Sequence, residues 1–408
     1  MIEIYNHWEN IKTPIVFDNG SYNVRVGFSG NEEPSAIFPT LVGRSKKNNT
    51  GMQENDLFIG DEAQERKAML DLNAPIKNGI IENWDDMEKI WHHAFFNELR
   101  VDPSEHPVFL TEGVFNPKEK REKTIQLMYE LFEVPDFYLK NTALLELMCH
   151  GYQYGTSISV GYNSTTLCYI SEELIHRNTL TSFEIGGKDL TNFFQELLAF
   201  NTDFEADNYN EEDFREMKEK TSYYLEDPNK MIQKKDELEK GMMDQIKYEL
   251  PDGKVLSLGR ERFLVGELLF RSKKEILQTF GLVNSEQKKV KKNVIENGNV
   301  NLAKMVKEFI LQKCPSELQN KMFQSMYLTG GSSYIKGFKE RFHNELNGLW
   351  EENAPQIKLA RSPETKYIAW QGGSTYSSIE KFYFQCTSRA EYEEEGPSLV
   401  HRKCKNFH

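Results

Sequence analysis

The chain has 408 residues, 28% of them charged and 38% hydrophobic, with a formal net charge of −13. That length exceeds what one simple core fills, so two domains are expected, and the composition is that of a soluble globular chain. The acidic balance argues against general nucleic-acid binding, and no apolar stretch approaches the ~18 residues that span a bilayer.

In chain order, the start Met1-Ile2-Glu3-Ile4-Tyr5 lacks the basic residues and apolar run of a signal peptide. Pro14-Ile15-Val16-Phe17 predicts a strand that stops at the turn signal Asp18-Asn19-Gly20-Ser21. Asn23 to Phe28 alternates and predicts the returning strand. Ile80-Ile81 ends an apolar segment, after which Asn83 or Asp85 can cap a helix. Met87, Ile90, Trp91 and Ala94 then recur at helical spacing, so one face of that helix is core. Helical periodicity also marks 117–133 and 137–149. A second hairpin is predicted from Thr156-Ser157-Ile158-Ser159-Val160 through Gly161-Tyr162-Asn163 to Thr165-Thr166-Leu167-Cys168-Tyr169. Further helices are predicted over 188–200, 211–225 and 335–346. Arg271 to Ser325 is polar, lysine-rich around Gln287 to Lys292, and predicts helices interrupted by an exposed loop. The lysine run reads as a solvated insertion rather than a nuclear signal. The five cysteines are odd in number and lack CxxC spacing, which fits a reducing compartment. Each hairpin heads a mixed α/β stretch, so two similar halves are expected, each a sheet flanked by helices.

Several longer words carry a family resemblance. They include Asn83-Trp84-Asp85-Asp86-Met87-Glu88-Lys89-Ile90-Trp91-His92-His93, Asp18-Asn19-Gly20-Ser21, Val42-Gly43-Arg44 and Gly60-Asp61-Glu62-Ala63-Gln64. Later come Tyr248-Glu249-Leu250-Pro251-Asp252-Gly253, Gly330-Gly331-Ser332-Ser333, Trp370-Gln371-Gly372-Gly373-Ser374 and Gly396-Pro397-Ser398-Leu399-Val400-His401-Arg402-Lys403-Cys404. Over nearly its whole length the chain resembles actin and the actin-related proteins, as a divergent member. The resemblance implies the actin-like ATPase fold shared with sugar kinases and the Hsp70 ATPase domain: two similar α/β domains around a nucleotide cleft. It places the first domain at 1–149 and 367–408, with a small subdomain near 44–75. It places the second at 150–366, with a small subdomain near 186–270.

The implied cofactor is ATP or ADP with Mg²⁺, bound weakly. Asp18 stands where a carboxylate holds the water shell of the metal, and Gly20 and Ser21 present N–H groups to phosphate. Arg25 replaces a phosphate-contacting lysine, and Tyr22 replaces a glycine of the turn. In the second hairpin Gly161 alone keeps the family pattern. Ser159 and Tyr162 stand where the family has aspartates, Thr142 where it has the glutamine that orients the attacking water, and Thr166 where it has a histidine. These positions are degenerate, so the resemblance implies no catalytic residue. The nucleoside contacts carried over are Gly187, Arg215, Lys218 and Glu219, with Gly331, Ser332, Tyr334 and Lys366 on the other wall. Arg215, Lys218 and Glu219 at i, i+3 and i+4 share one helix face.

Surfaces depart as well. The loop over 45–57, which in the family inserts apolar side chains into a neighbouring subunit, is polar here. Gln371, Thr375, Tyr376, Ile379 and Lys381 would line the family's partner groove, with Glu173 and Leu174 opposite. The polar insertion near 284–299 falls where the family has a plug loop. Together these changes point away from an ordinary filament. The expected function is a divergent structural protein that binds nucleotide with little or no hydrolysis. It would sit in the cytoplasm within a cytoskeletal or axonemal assembly, with protein partners that include conventional actin and neither nucleic acid nor membrane. The alternatives are a nuclear subunit of a chromatin-remodelling complex and an active ATP-hydrolysing filament protein.

Overall fold

The computed structural model describes residues 12–46, 57–200, 204, 209–282, 301–351, 354–361 and 366–407. The polar loop over 47–56, the insertion near 284–299 and the lysine run lie outside these. Two compact units divide the chain: Met1–Ser157 with Cys168–Leu180 and Ser362–His408, and Ile158–Leu167 with Thr181–Arg361. Residues 168–180, which sequence places with the second domain, cluster with the first. The cause is local: the Ile175 N–H donates to the Asn406 carbonyl at 2.9 Å, and the Arg177 guanidinium lies 4.6 Å from the Phe407 ring.

The first unit is built on a six-stranded mixed sheet. Its order is Thr387–Ser388, Asp136–Asn141, Val108–Glu112, Ile15–Asn19, Asn23–Phe28, Ala36–Pro39. The first predicted hairpin forms with Asp18 opposite Arg25 and Asn19 opposite Val24. Ile15–Asn19, Val108–Glu112 and Asp136–Asn141 run parallel. One expectation fails here. The periodicity over 137–149 predicts a single helix, but the segment is the strand Asp136–Asn141 followed by the helix Thr142–Cys149. All six strand residues are buried. A central parallel strand covered on both faces shows no alternation, so its apolar run passes for a helix face.

The helix Ile368–Ser377 packs onto this sheet through Trp370, whose Nε1–H donates to the Val16 carbonyl at 3.0 Å. Gly372 and Gly373 let it approach. A Cβ at Gly372 would lie 2.8 Å from the Leu145 backbone, and one at Gly373 2.9 Å from Val16 Cγ1.

The helix Trp84–His92 starts as the sequence predicts. The Asn83 side chain accepts from the Asp86 N–H at 3.1 Å. Asp86 itself is fully buried and takes hydrogen bonds from Arg44, Asn73 and Asn83. It thereby ties the small three-stranded sheet of Val42–Ser45, Leu57–Ile59 and Leu70–Asn73 to that helix. Burial alone would raise the Asp86 carboxyl, but the hydrogen bonds from Arg44 and Asn73 outweigh it and hold it below the ordinary carboxylate value. A depressed folded-state pKa stabilises above the unfolded value and ceases to as pH falls through the folded one. Asp86→Asn should therefore cost about 1.5–3 kcal/mol at pH 7. The gap between the two proteins should close as urea melts are taken from pH 7 to below about pH 4. A gap that is constant with pH would show that the charge contributes nothing.

The second six-stranded sheet has the order Leu174–Ile175, Thr165–Ser171, Gly155–Val160, Met326–Thr329, Leu359–Ala360, with Thr181–Phe183 paired to Thr165–Ser171 off that path. The second predicted hairpin thus forms, and the chain passes between the units within its two strands. The predicted helices appear at Gly187–Leu198, Glu211–Thr221 and Phe338–Gly348. Within the second unit Arg341 and Glu267, both wholly buried, form a two-pronged ion pair. Arg341 also donates to the Leu225 carbonyl at 3.0 Å and to Glu345 at 2.9 Å. Among the described residues no helix is long and apolar enough to cross a membrane.

Candidate functional site

In the first unit the hairpin tip is tightly made. The Gly20 N–H donates to the Asn23 carbonyl at 3.0 Å, and the Gly20 carbonyl accepts from Thr40 Oγ1 at 2.8 Å. Ser21 Oγ accepts from the Gly79 N–H at 3.1 Å, and the Tyr22 carbonyl from the Thr40 N–H at 2.8 Å. Asp18 is buried. One of its oxygens accepts from Arg25 at 2.9 Å and the other from Thr111 Oγ1 at 2.8 Å. Thr111 lies on the neighbouring parallel strand and escaped the sequence reading, because nothing local links it to Asp18. Each carboxylate oxygen still has a second lone pair, so Asp18 can accept from a metal-bound water. Arg25 is committed to Asp18 rather than extended away from the sheet. Thr142 is the first residue of the helix Thr142–Cys149, half-buried beside the capping Asn141. Lys366 is exposed.

In the second unit the turn after Gly155–Val160 is fastened to the start of a helix. The Gly161 N–H donates to the Ser164 carbonyl at 3.0 Å. The Gly161 and Tyr162 carbonyls accept from the Gly187 and Lys188 N–H groups, each at 2.9 Å. A Cβ at Gly186 would lie 2.6 Å from the Tyr162 carbonyl oxygen, and one at Gly187 2.8 Å from Ser332 Oγ. Only glycine fits so close to the turn at 186, whereas at 187 the Ser332 hydroxyl would have to rotate away. Ser332 Oγ lies 3.5 Å from the Gly161 carbonyl, so the turn, Gly187 and Ser332 form one cluster. A Cβ at Gly331 would meet nothing within 4 Å, so the backbone there opens outward. Tyr334 is half-buried, with the Arg361 guanidinium 5.7 Å from its ring centroid. Ser159 and Thr166 are half-buried on the two strands of the hairpin.

The helix Glu211–Thr221 brings one of its three predicted residues to this cluster and keeps the other two in a network of their own. Arg215 bonds Glu219 at 2.6 Å and grips Glu212 through Nε at 2.9 Å, so it and Glu219 make a surface network. Lys218 turns inward, its ammonium bonding the Gly187 carbonyl at 2.9 Å and Thr191 Oγ1 at 2.8 Å. Burial pulls that ammonium down to about 8. It remains largely charged at neutral pH and polarises the loop at Gly187. The i, i+3, i+4 spacing gave the shared face but not this burial.

Of the second-unit residues carried over, Gly187, Lys218 and Ser332 are brought together with the 161–164 turn, and the backbone at Gly331 is open, so a nucleoside finds main-chain groups and a cation there; Glu219 is engaged by Arg215. The residues of the hairpin fit the metal and phosphates less fully. Asp18 is the one carboxylate at the predicted metal position, and among the described residues no group of three or more His, Cys, Asp or Glu side chains could hold a metal ion directly. Of the predicted partner-groove residues, Tyr376 belongs to the core, stacked on Tyr138 at 5.7 Å, and Gln371 donates to the Glu32 carbonyl at 3.0 Å, while Ile379 is exposed.

A family model described as Actin matches residues 10–405 of the 408-residue chain.

Proposed function

The chain belongs to the actin family and has that family's α/β ATPase fold, and from that premise we propose that it is a structural subunit that binds adenine nucleotide with Mg²⁺ and hydrolyses it slowly or not at all. Members of the family bind ATP or ADP with Mg²⁺. The observation that carries the reading is a contrast within the second unit. Lys218 is braced on Gly187, beside the 161–164 turn, while the hairpin carries Ser159 and Tyr162 where phosphoryl transfer in the family uses carboxylates.

Gly187, Lys218, Glu219 and Gly331 would hold the nucleoside. Ser21 would hold phosphate, with the Gly20 N–H and Arg25 already engaged by the Asn23 carbonyl and Asp18, and Asp18 would hold Mg²⁺ through water. The metal neutralises phosphate charge when bound. Without groups that orient an attacking water, the bound nucleotide acts as a brace and not as a fuel. By family analogy the setting is a cytoplasmic cytoskeletal or axonemal assembly, with protein partners that include conventional actin.

Thermal melts with millimolar Mg-ADP test the binding. Ligand at 100 times its dissociation constant stabilises by about 2.7 kcal/mol, which for a unit of this size raises Tm by roughly 5–10 °C. No shift in melting and no heat in calorimetry would refute nucleotide binding. The assembly claim is read by fractionation and cross-linking in cells: recovery in the nucleus with chromatin proteins would replace it.

A further inference from the structure

Tyr162 does something that the nucleotide reading does not use. Its main chain lies in the turn 161–164, where the carbonyls of residues 161 and 162 hold the start of the helix Gly187–Leu198. Its hydroxyl donates to Glu211 Oε1 at 2.6 Å, on the first residue of the helix Glu211–Thr221. The phenol thus bridges the turn and that helix. Residues predicted to contact the nucleoside stand on both sides of the bridge: Gly187 directly under the Tyr162 backbone, 3.7 Å from its Cα to a Cβ placed there, and Arg215 one helical turn beyond Glu211.

We propose that Tyr162 is a strap that closes the nucleoside site of the second unit, so that an adenine nucleotide enters only by breaking the Tyr162–Glu211 hydrogen bond. The proposal rests on the nucleotide reading above and deepens it. The physical reasons are three. The bond is short, 2.6 Å, and runs from a phenol to a carboxylate oxygen, a strong pairing of donor and acceptor. Burial and the Glu211 carboxylate both push the Tyr162 hydroxyl above its ordinary value, so it stays a donor at every physiological pH. A phenol is also much larger than the carboxylate that the resemblance gives this position, so the substitution adds bulk at the turn as well as removing charge. A bound state that must first break an internal contact shows an affinity reduced by the fraction of molecules in the open form.

The test uses the full chain, with Mg-ADP titrated by calorimetry into the wild type, Tyr162→Phe, Tyr162→Gly and Glu211→Ala. Losing a hydrogen bond to a charged group frees the equivalent of roughly tenfold in affinity. Tyr162→Phe and Glu211→Ala should each bind about tenfold more tightly than wild type, and Tyr162→Gly more tightly still because the ring is gone. Melting curves of the unliganded proteins run alongside: a strap predicts small losses, well under those of a core substitution. Variants that bind as the wild type does would overturn the strap and leave nucleotide binding standing. Weaker binding in the variants would overturn it too, making Tyr162 a ligand contact. No binding by any of the four at millimolar nucleotide removes both the strap and the site. Because one variant removes only an oxygen and another alters the opposite partner, loss of folding in Tyr162→Gly would not spoil the comparison.

Discussion

Arg341→Ala should destabilise the second unit by about 3–5 kcal/mol, one of the largest single losses available in this chain. The side chains of Arg341 and Glu267 are both wholly buried, and the guanidinium satisfies four acceptors: both Glu267 oxygens, Glu345 and the Leu225 carbonyl. Removing it leaves a carboxylate in the core with no counterion but Arg271 at 3.4 Å, itself partly exposed. The pair is expensive to break, not strongly stabilising as a whole. Arg341→Met combined with Glu267→Leu should therefore recover most of the loss, since neither charge then has to be buried. Equilibrium denaturation of the single and double variants reads both numbers. A single-variant loss under about 1 kcal/mol would mean that Glu267 reaches water or takes up a proton.

The second large effect is catalytic. Incubated with Mg-ATP at tens of micromolar, the protein should neither release phosphate nor pellet at the rate of a family member that retains the water-orienting groups. Thr142 is too short to reach an attacking water as a glutamine amide does, and Ser159 offers no anionic oxygen to a metal-bound water. Each lost positioning group is worth on the order of 10²-fold. Ser159→Asp with Thr142→Gln together should raise phosphate release by at least tenfold if nucleotide binds as proposed. Cooperative pelleting with brisk phosphate release by the unaltered chain would defeat the reading outright. A double variant that binds nucleotide yet stays inert would instead locate the defect in Arg25, which bonds Asp18 at 2.9 Å rather than reaching toward phosphate.

What the sequence made legible was local. Asn83 followed by residues at helical spacing announces its own cap and buried face, because both signals lie within one helical turn of each other. The turn word Asp18-Asn19-Gly20-Ser21 fixes a hairpin for the same reason. Phe137-Tyr138-Leu139 did not declare itself, since a strand buried on both faces lacks the alternation that marks a strand. The site residues came through the family words, but their partners did not. Thr111 on Asp18 spans 93 residues of sequence, Tyr162 on Glu211 spans 49, and Lys218 reaches back 31 to Gly187. Contacts at such separations follow from the tertiary fold and leave no trace in spacing. Lys218 shows the cost: its spacing gave a face shared with Arg215 and Glu219, and the helix beneath it made it a buried charge apart from them.

The first unit's sheet has a consequence for how the protein is made. Its core is closed by the helix Ile368–Ser377 and by residues 399–406, joined to the sheet across long stretches of chain. Trp370 bonds Val16 over 354 residues, and Arg121 bonds the Cys404 carbonyl over 283. During synthesis the N-terminal strands therefore wait, with Val16 and Phe109 uncovered, while the whole second unit emerges and can fold ahead of them. Domains ordinarily fold in order of emergence, and here that order is inverted. An exposed apolar sheet held for that long is a substrate for chaperones, and chains stalled before residue 370 should be bound by them or aggregate.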